Sequence, residues 1–355
     1  MTENTTSTQN PIPAPAVLSR IEQTPNIAPK SGVWRFVGLG LSLTLLAIAI
    51  YVLVKTVHTL DPADVKAGFA NASWNQLGFA FLFTAISYLM LTGYDVLALK
   101  QIKAFHIRYR TAAFASFTSY AISFTLGFPI LTAGAVRFWV YAPKGLSAQK
   151  IASLTLIASV TFWLGMGLVL AFSLITRPAA ISEINLLSVE FNRIIGAGVL
   201  LTAIAYFCWV AVKPRQIRFQ GWRLSLPSWR VTLGQMALGV ADVCAGGAVL
   251  FVLLPQGHGH TFEAVLAVYV LGHMLGVASH VPGGIGAFEA TILVALSGTV
   301  SQGQLLSTVL IYRCIYYLVP FAIAVAMLGL GEVTRRARAM REGMGTGEEE
   351  EVHPP

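Results

Sequence analysis

The 355-residue sequence has little charge: Asp, Glu, Lys and Arg make up 11% of it, against 55% of hydrophobic residues. Soluble globular domains have about 25% charged residues, so this composition excludes an ordinary soluble domain. The three cysteines, Cys208, Cys244 and Cys314, lie in apolar runs and lack the spacing of a metal site or disulfide framework. The motifs of serine hydrolases, zinc proteases, P-loop enzymes and dinucleotide-binding folds are also absent from the sequence. We therefore predict no enzyme activity, no cofactor and no metal site.

What the sequence has instead is a series of long apolar runs. A helix needs roughly 17 to 25 apolar residues to cross about 30 Å of hydrocarbon. Runs of this kind lie at 36–54, 77–99, 151–176, 194–212, 231–254, 262–279 and 306–330. Two more are ambiguous, because 112–135 is interrupted by Gly127-Phe128-Pro129 and by Gly134, and 285–298 is short. The pattern predicts an all-α, polytopic transmembrane bundle.

Positive charge orients these runs, since Lys and Arg collect in cytoplasmic loops. Basic clusters lie at 100–110, 137–150, 213–230 and 335–341, whereas the loop at 255–261 has no Lys or Arg. All clusters fall on one side if 112–135 enters the membrane and returns, and if 285–298 crosses it. The charges therefore predict eight crossings plus one re-entrant segment, with both termini in the cytoplasm.

The same reasoning divides the chain into three parts. Residues 1–34 are rich in Thr, Asn, Pro and Ala and are predicted to be a disordered cytoplasmic tail. Residues 35–331 form the transmembrane domain, and 332–355 form a basic and then acidic cytoplasmic tail. The net charge of +8 fits membrane topology and anionic lipid surfaces, not nucleic acid. We expect the inner (cytoplasmic) membrane as location and membrane lipid as partner, and association into a homo-oligomer stays open.

Ionisable side chains within the apolar runs are the main functional candidates. They are Asp95, Arg137, Asp242, Glu289 and Arg313. A charge at the centre of the bilayer costs roughly 2.5 to 3.5 kcal/mol, so these side chains are predicted to pair with one another or to line a wet cavity. The alternative for Asp95 and Arg137 is a position at the interface, where they would extend to water.

The stretch around Pro282-Gly283-Gly284 interrupts the apolar pattern. Backbone that breaks a helix at membrane depth survives only where protein or a wet cavity covers it, so the break predicts the wall of a site, together with His273, His280 and Glu289 nearby. The alternative is a turn at the membrane surface.

Three segments resemble the signatures of a known family. They are SFTLGFPILTAGAVRFWVYAPKGLS, SHVPGGIGAFEA and YRCIYYLVP, and together they resemble the lysylphosphatidylglycerol synthase transmembrane, or flippase-like, family over roughly 77–330. The matching positions are Gly134, Arg137, Tyr141, Pro282, Gly283, Gly284, Gly286, Glu289, Arg313, Tyr317 and Pro320. The resemblance implies a multipass membrane domain that translocates a lipid, in the best-known members an aminoacylated phosphatidylglycerol. It does not imply lysyl transfer, because the full-length synthases carry a soluble transferase domain that this sequence lacks.

These observations give a mechanistic hypothesis. Arg137 and Arg313 would bind the phosphate of an anionic or aminoacylated phospholipid. Glu289 with Asp242 would bind an amine or carry a proton, which the two histidines of the break could relay. A transporter of a small solute or ion, a membrane component of lipid-linked sugar or aminoacyl-lipid metabolism, and a structural partner whose buried charges merely pair remain open as alternatives.

Overall fold

The computed structural model describes residues 72–127, 129–212, 216–219, 222–279 and 281–349. Nearly all of these residues are helical, which confirms the predicted helical membrane architecture. The exception is a short antiparallel pair of strands, β1 (Gln216–Phe219) and β2 (Trp222–Ser225). The predicted tail at 1–34 and the predicted crossing at 36–54 lie outside the described residues.

The described helices follow in this order: α1 (Trp74–Gln101), α2 (Tyr109–Leu126), α3 (Pro129–Tyr141), α4 (Ala148–Thr176), α5 (Pro178–Asn185), α6 (Val189–Val212), α7 (Trp229–Leu253), α8 (Phe262–Ala278), α9 (Ala287–Leu296), α10 (Gln302–Arg313) and α11 (Val319–Glu349). Single 3₁₀ turns lie at Ala142–Lys144 and Pro282–Gly284. A π-helical turn, Cys314–Leu318, joins α10 to α11. Helix α11 continues through the predicted domain boundary at 331.

Five helices in the described part are long and apolar enough to cross a membrane. They are α1, α4, α6, α7 and the continuous helical segment Gln302–Thr334. Their bounds agree with the predicted runs at 77–99, 151–176, 194–212, 231–254 and 306–330. Several start at a serine whose side chain accepts a backbone N–H bond, as Ser73 does for α1 and Ser147 for α4.

Helices α1 and α7 pack against each other in antiparallel orientation. The Gln76 side chain at the start of α1 donates to the carbonyl of Leu254, just after α7, at 2.9 Å. Further along, Gly93 of α1 lies against Leu238, and Gly234 of α7 lies against Leu97. Small residues allow this close approach of helices, as is common in membranes.

The segment predicted to enter the membrane and return is a helical hairpin, which we call the first hairpin (α2 and α3). Helix α2 ends at Gly127, whose φ of 77° favours glycine. The Arg137 guanidinium lies 5.0 Å from the ring centre of Tyr120, although on one straight helix the two residues would be about 25 Å apart at about 1.5 Å per residue. The chain therefore reverses at Gly127. The predicted break at Gly134 is wrong: this residue lies inside α3, where a regular helix satisfies its backbone.

The segments predicted to cross at 262–279 and 285–298 form a second hairpin, α8 and α9. The rings of Tyr269 and Phe288 face each other across it at 6.1 Å. The side chains of His260 and Thr299, at its two ends, are hydrogen-bonded to each other. Helix α9 has ten residues, about 15 Å at 1.5 Å per residue, which is too short to cross about 30 Å of hydrocarbon.

The two hairpins come from opposite ends of the bundle and meet at their tips. Each follows the C-terminal end of a central helix, and the central helices α1 and α7 are antiparallel. A Cβ at Gly283, in the second tip, would lie only 3.4 Å from the Thr125 carbonyl oxygen and 3.6 Å from that of Phe124, in the first. The halves α1–α4 and α7–α11, from which α5, α6 and the strands are excluded, share one order: long helix, hairpin, long helix. Such inverted repeats enclose the binding site in many transporters.

Candidate functional site

A cavity of about 300 Å³ lies where the hairpin tips meet. Its wall includes Phe124, Gly127, Phe162, His273, Gly284 and Tyr317, and is mostly apolar. Ile130 and Leu131 of α3 also line it and are 55% and 72% exposed on the apolar outer surface. The cavity is therefore bounded on one side by side chains that would face lipid.

The broken segment of the second hairpin holds an ion pair beside this cavity. Glu289 lies in the first turn of α9, where its Oε2 accepts the Gly286 N–H at 2.7 Å, and a carboxylate is stabilised at a helix N-terminus. Arg313 donates from Nε to the other oxygen of Glu289, and from Nη1 to the carbonyl of Gly283 at 3.1 Å. Gly283 and Gly286 have φ of 64° and 91°, which favours glycine. The break, the carboxylate and the arginine thus form one unit.

Two buried nitrogen atoms near the cavity have no hydrogen-bond partner among the described residues. They are Nη2 of Arg313 and Nδ1 of His273. His273 lines the cavity, and the Arg313 guanidinium lies 5.5 Å from the ring centre of Tyr317, another lining residue. A buried polar nitrogen without a partner, whether donor or acceptor, costs about 1 to 3 kcal/mol. These atoms therefore favour a polar or anionic ligand at this end of the cavity.

A second ion pair joins α1 and α3 in the half formed by α1–α4. Asp95 of α1 accepts bonds from Arg137 Nη2 at 2.7 Å and from the Tyr141 hydroxyl at 2.8 Å. Asp95 and Arg137 are 0% and 1% exposed, so neither side chain extends to water as the interfacial alternative requires. Neither residue lines the cavity. Their geometry fixes the first hairpin to α1 and leaves the Arg137 guanidinium enclosed.

The fifth charged residue, Asp242, is surrounded by hydroxyl groups. Its Oδ1 accepts from Ser87 Oγ at 2.5 Å and its Oδ2 accepts from the Tyr94 hydroxyl at 2.9 Å. Ser87 Oγ also lies 2.8 Å from the Tyr316 hydroxyl. Among the described residues no Lys, Arg or His forms an ion pair with Asp242. Four of the five predicted charges therefore pair, and the fifth does not.

Two neighbouring tyrosines of the π-helical turn have different partners. Tyr316 turns to Ser87, and Tyr317 lies under Arg313. Sequence reasoning missed Ser87 and Tyr94, although they are spaced at i, i+7 on the face of α1 that meets Asp242. His280 lies outside the described residues, and of Pro282 only the backbone is described.

Comparison with known proteins finds a family model and several related sequences. A family model described as "Lysylphosphatidylglycerol synthase TM region" matches residues 36–324. The chain is 31% identical to "Uncharacterized protein slr0712" of Synechocystis, over 85% of this chain and 94% of that protein. It is 28% identical to "Inner membrane protein YbhN" of Escherichia coli, over 87% and 97%. A match to "Phosphatidylglycerol lysyltransferase" of Staphylococcus aureus is 22% identical and covers 84% of this chain but 34% of that protein.

Proposed function

Because the chain belongs to the lysylphosphatidylglycerol synthase transmembrane-region family, we propose that it translocates a phospholipid or lipid-linked headgroup across the cytoplasmic membrane. The observation that supports this most is the cavity between the hairpin tips. It combines an apolar wall, a side formed by exposed apolar residues, and a half-buried ion pair that contacts the lining residues Gly283 and Tyr317. A charged headgroup alone in hydrocarbon would cost on the order of tens of kcal/mol. Fixed opposite charges in such a cavity lower that cost.

The open side of the cavity favours a lipid over a small solute. A headgroup can occupy the polar end while its acyl chains extend past the exposed side chains of Ile130 and Leu131 into the bilayer. A solute transporter needs a binding site that is closed to lipid on all sides. The alternative of lipid-linked chemistry requires a catalytic carboxylate. The carboxylate described near the cavity, Glu289, is paired with Arg313, which favours movement of a lipid.

The residues then take separate roles. The free Nη2 of Arg313 and the Nδ1 of His273 contact the phosphate, and Glu289 contacts an amine if the lipid is aminoacylated. Arg137 holds the first hairpin in place through Asp95, and the earlier hypothesis that it binds phosphate is dropped. Lysyl transfer is not part of this proposal, because the chain matches only 34% of the lysyltransferase it resembles.

In the membrane we propose six crossings and two re-entrant hairpins. The five long helices and the apolar run at 36–54 supply the crossings. The first hairpin then enters from the cytoplasm and the second from the opposite face. This arrangement keeps all basic clusters and both termini in the cytoplasm, as the charge rule requires.

The test is leaflet exchange in liposomes that contain the purified protein and reporter lipids with different headgroups. We expect headgroup-dependent exchange that falls about tenfold in Glu289→Gln, because hydrogen bonds to charged groups contribute about 1.5 to 3 kcal/mol and about 1.4 kcal/mol is a factor of ten. The matched control is Glu263→Gln, which removes a carboxylate from a half-exposed pair with Arg177. No exchange for any headgroup, or equal rates for both variants, would contradict the proposal.

A further inference from the structure

We infer that Asp242 is a proton-binding site and that its protonation controls the Glu289–Arg313 pair through the π-helical turn. This inference rests on the proposed translocation and adds its coupling ion. The two buried aspartates of the central helices, Asp95 and Asp242, differ in their partners. Asp95 pairs with Arg137, whereas the partners of Asp242 among the described residues are hydroxyl groups.

The surroundings of Asp242 leave its charge uncompensated. The side chain is on α7 and is 3% exposed. The titratable groups that face it are Cys244 on its own helix, Tyr88 and Tyr94 of α1, Tyr120 of α2, Tyr269 of α8 and Tyr316 of the π-helical turn. Helix α4 meets α7 through Thr161 and Gly165, which do not titrate. A buried carboxylate without a cation is costly, and binding one proton from water removes the charge.

Protonation would reverse the direction of a hydrogen-bond chain. A serine hydroxyl has one hydrogen to donate. When Asp242 is ionised, Ser87 donates to it, and the Tyr316 hydroxyl must donate to Ser87. When Asp242 carries a proton on Oδ1, that proton is donated to Ser87, and Ser87 then donates to Tyr316. The O–H of Tyr316 must turn to another acceptor. The hydrogen bonding of the π-helical turn therefore depends on whether Asp242 is protonated.

The π-helical turn connects the hydrogen bond of Tyr316 to the residues beside the cavity. Tyr316 lies between Arg313, the last residue of α10, and Tyr317, whose ring contacts the Arg313 guanidinium. The rings of Tyr316 and Tyr317 are 5.5 Å apart. Single π-helical turns are rare and are frequent at functional sites. A change at Tyr316 is therefore positioned to move Arg313 relative to Glu289, and with it the polar end of the cavity.

The experiment is leaflet exchange in sodium-free liposomes, with and without a pH difference across the membrane. For the wild type we expect a pH difference to change the rate at least fivefold. Asp242→Asn, which resembles the protonated form, should still exchange lipid but respond less than twofold. Tyr316→Phe removes only the hydroxyl and should also lose the response. The control is Tyr206→Phe, a substitution of a half-buried tyrosine on α6, which should behave as the wild type.

A second measurement separates this inference from the proposed function. Infrared difference spectra of the protein between acidic and alkaline buffer should contain one protonated-carboxyl band that the wild type and Tyr316→Phe share and that Asp242→Asn lacks. This readout does not depend on lipid transport. Absence of the band in the wild type would overturn the inference, as would an unchanged pH response in Asp242→Asn or an absolute requirement for sodium. If the band is present but no lipid is exchanged, the proposed translocation is contradicted and proton binding by Asp242 is not.

Discussion

At the scale of single residues, four of the five charged side chains in the apolar runs form two ion pairs, and Asp242 has no charged partner among the described residues. The sequence indicated which five side chains are costly in a membrane, because a charged residue and the apolar residues on either side of it can be identified from the sequence alone. It did not indicate the pairing, since Asp95 and Arg137 meet only when the first hairpin folds back on α1. The hydroxyl partners of Asp242 were equally hidden, because Ser87 and Tyr94 come from another helix.

The Asp95–Arg137 pair gives a prediction about stability. Arg137→Met would leave Asp95 as an uncompensated buried charge, which typically destabilises by about 3 to 5 kcal/mol. We expect a clear fall in the thermal unfolding temperature of the purified protein, partly restored when Asp95→Asn is added. The control is Arg193→Gln, which breaks an exposed pair with Glu190 and should change little. An unfolding temperature equal to that of the wild type in Arg137→Met would contradict the structural role.

At the scale of elements, the sequence predicted the first hairpin as an entering and returning segment and missed the second. The reason is that the charge rule fixes only which side each loop faces. The turn at 279–286 has no Lys or Arg, so two crossings and one hairpin satisfy the rule equally well. The contact between the ends of α8 and α9, at His260 and Thr299, shows the hairpin in the structure, and the sequence does not reveal this contact.

The second hairpin predicts a pattern of chemical labelling. In a protein whose three cysteines are replaced, single cysteines at Gln256 and Gln302 should react with a membrane-impermeant maleimide from one side, and one at Gln149 from the other. A cysteine at Ile285, near the tip, should react from neither side. Thiols react as thiolates, and hydrocarbon does not support that charge. Labelling of the Ile285 position from the cytoplasm, with the protein intact, would restore the model of eight crossings.

At the scale of the described molecule, α1–α4 and α7–α11 form two inverted halves whose hairpins meet at one cavity. The polar end belongs to the second half, where Glu289 and Arg313 lie, and the first half supplies the ion pair that holds its own hairpin. The sequence alone showed the apolar runs, the four basic clusters and the Pro-Gly-Gly break. The meeting of the two tips was not, since it depends on the antiparallel packing of α1 and α7.

The central claim is that lipid passes through the cavity between the hairpin tips, and two neighbouring residues of α4 test it most directly. Ser159 lines the cavity, whereas Val160 is exposed on the outer surface. Leaflet exchange should be measured in liposomes for Ser159→Trp and Val160→Trp at equal amounts of folded protein. We predict that Ser159→Trp, which fills the cavity, lowers the rate at least tenfold and that Val160→Trp leaves it near the wild-type value. Equal rates for the two variants would contradict the claim.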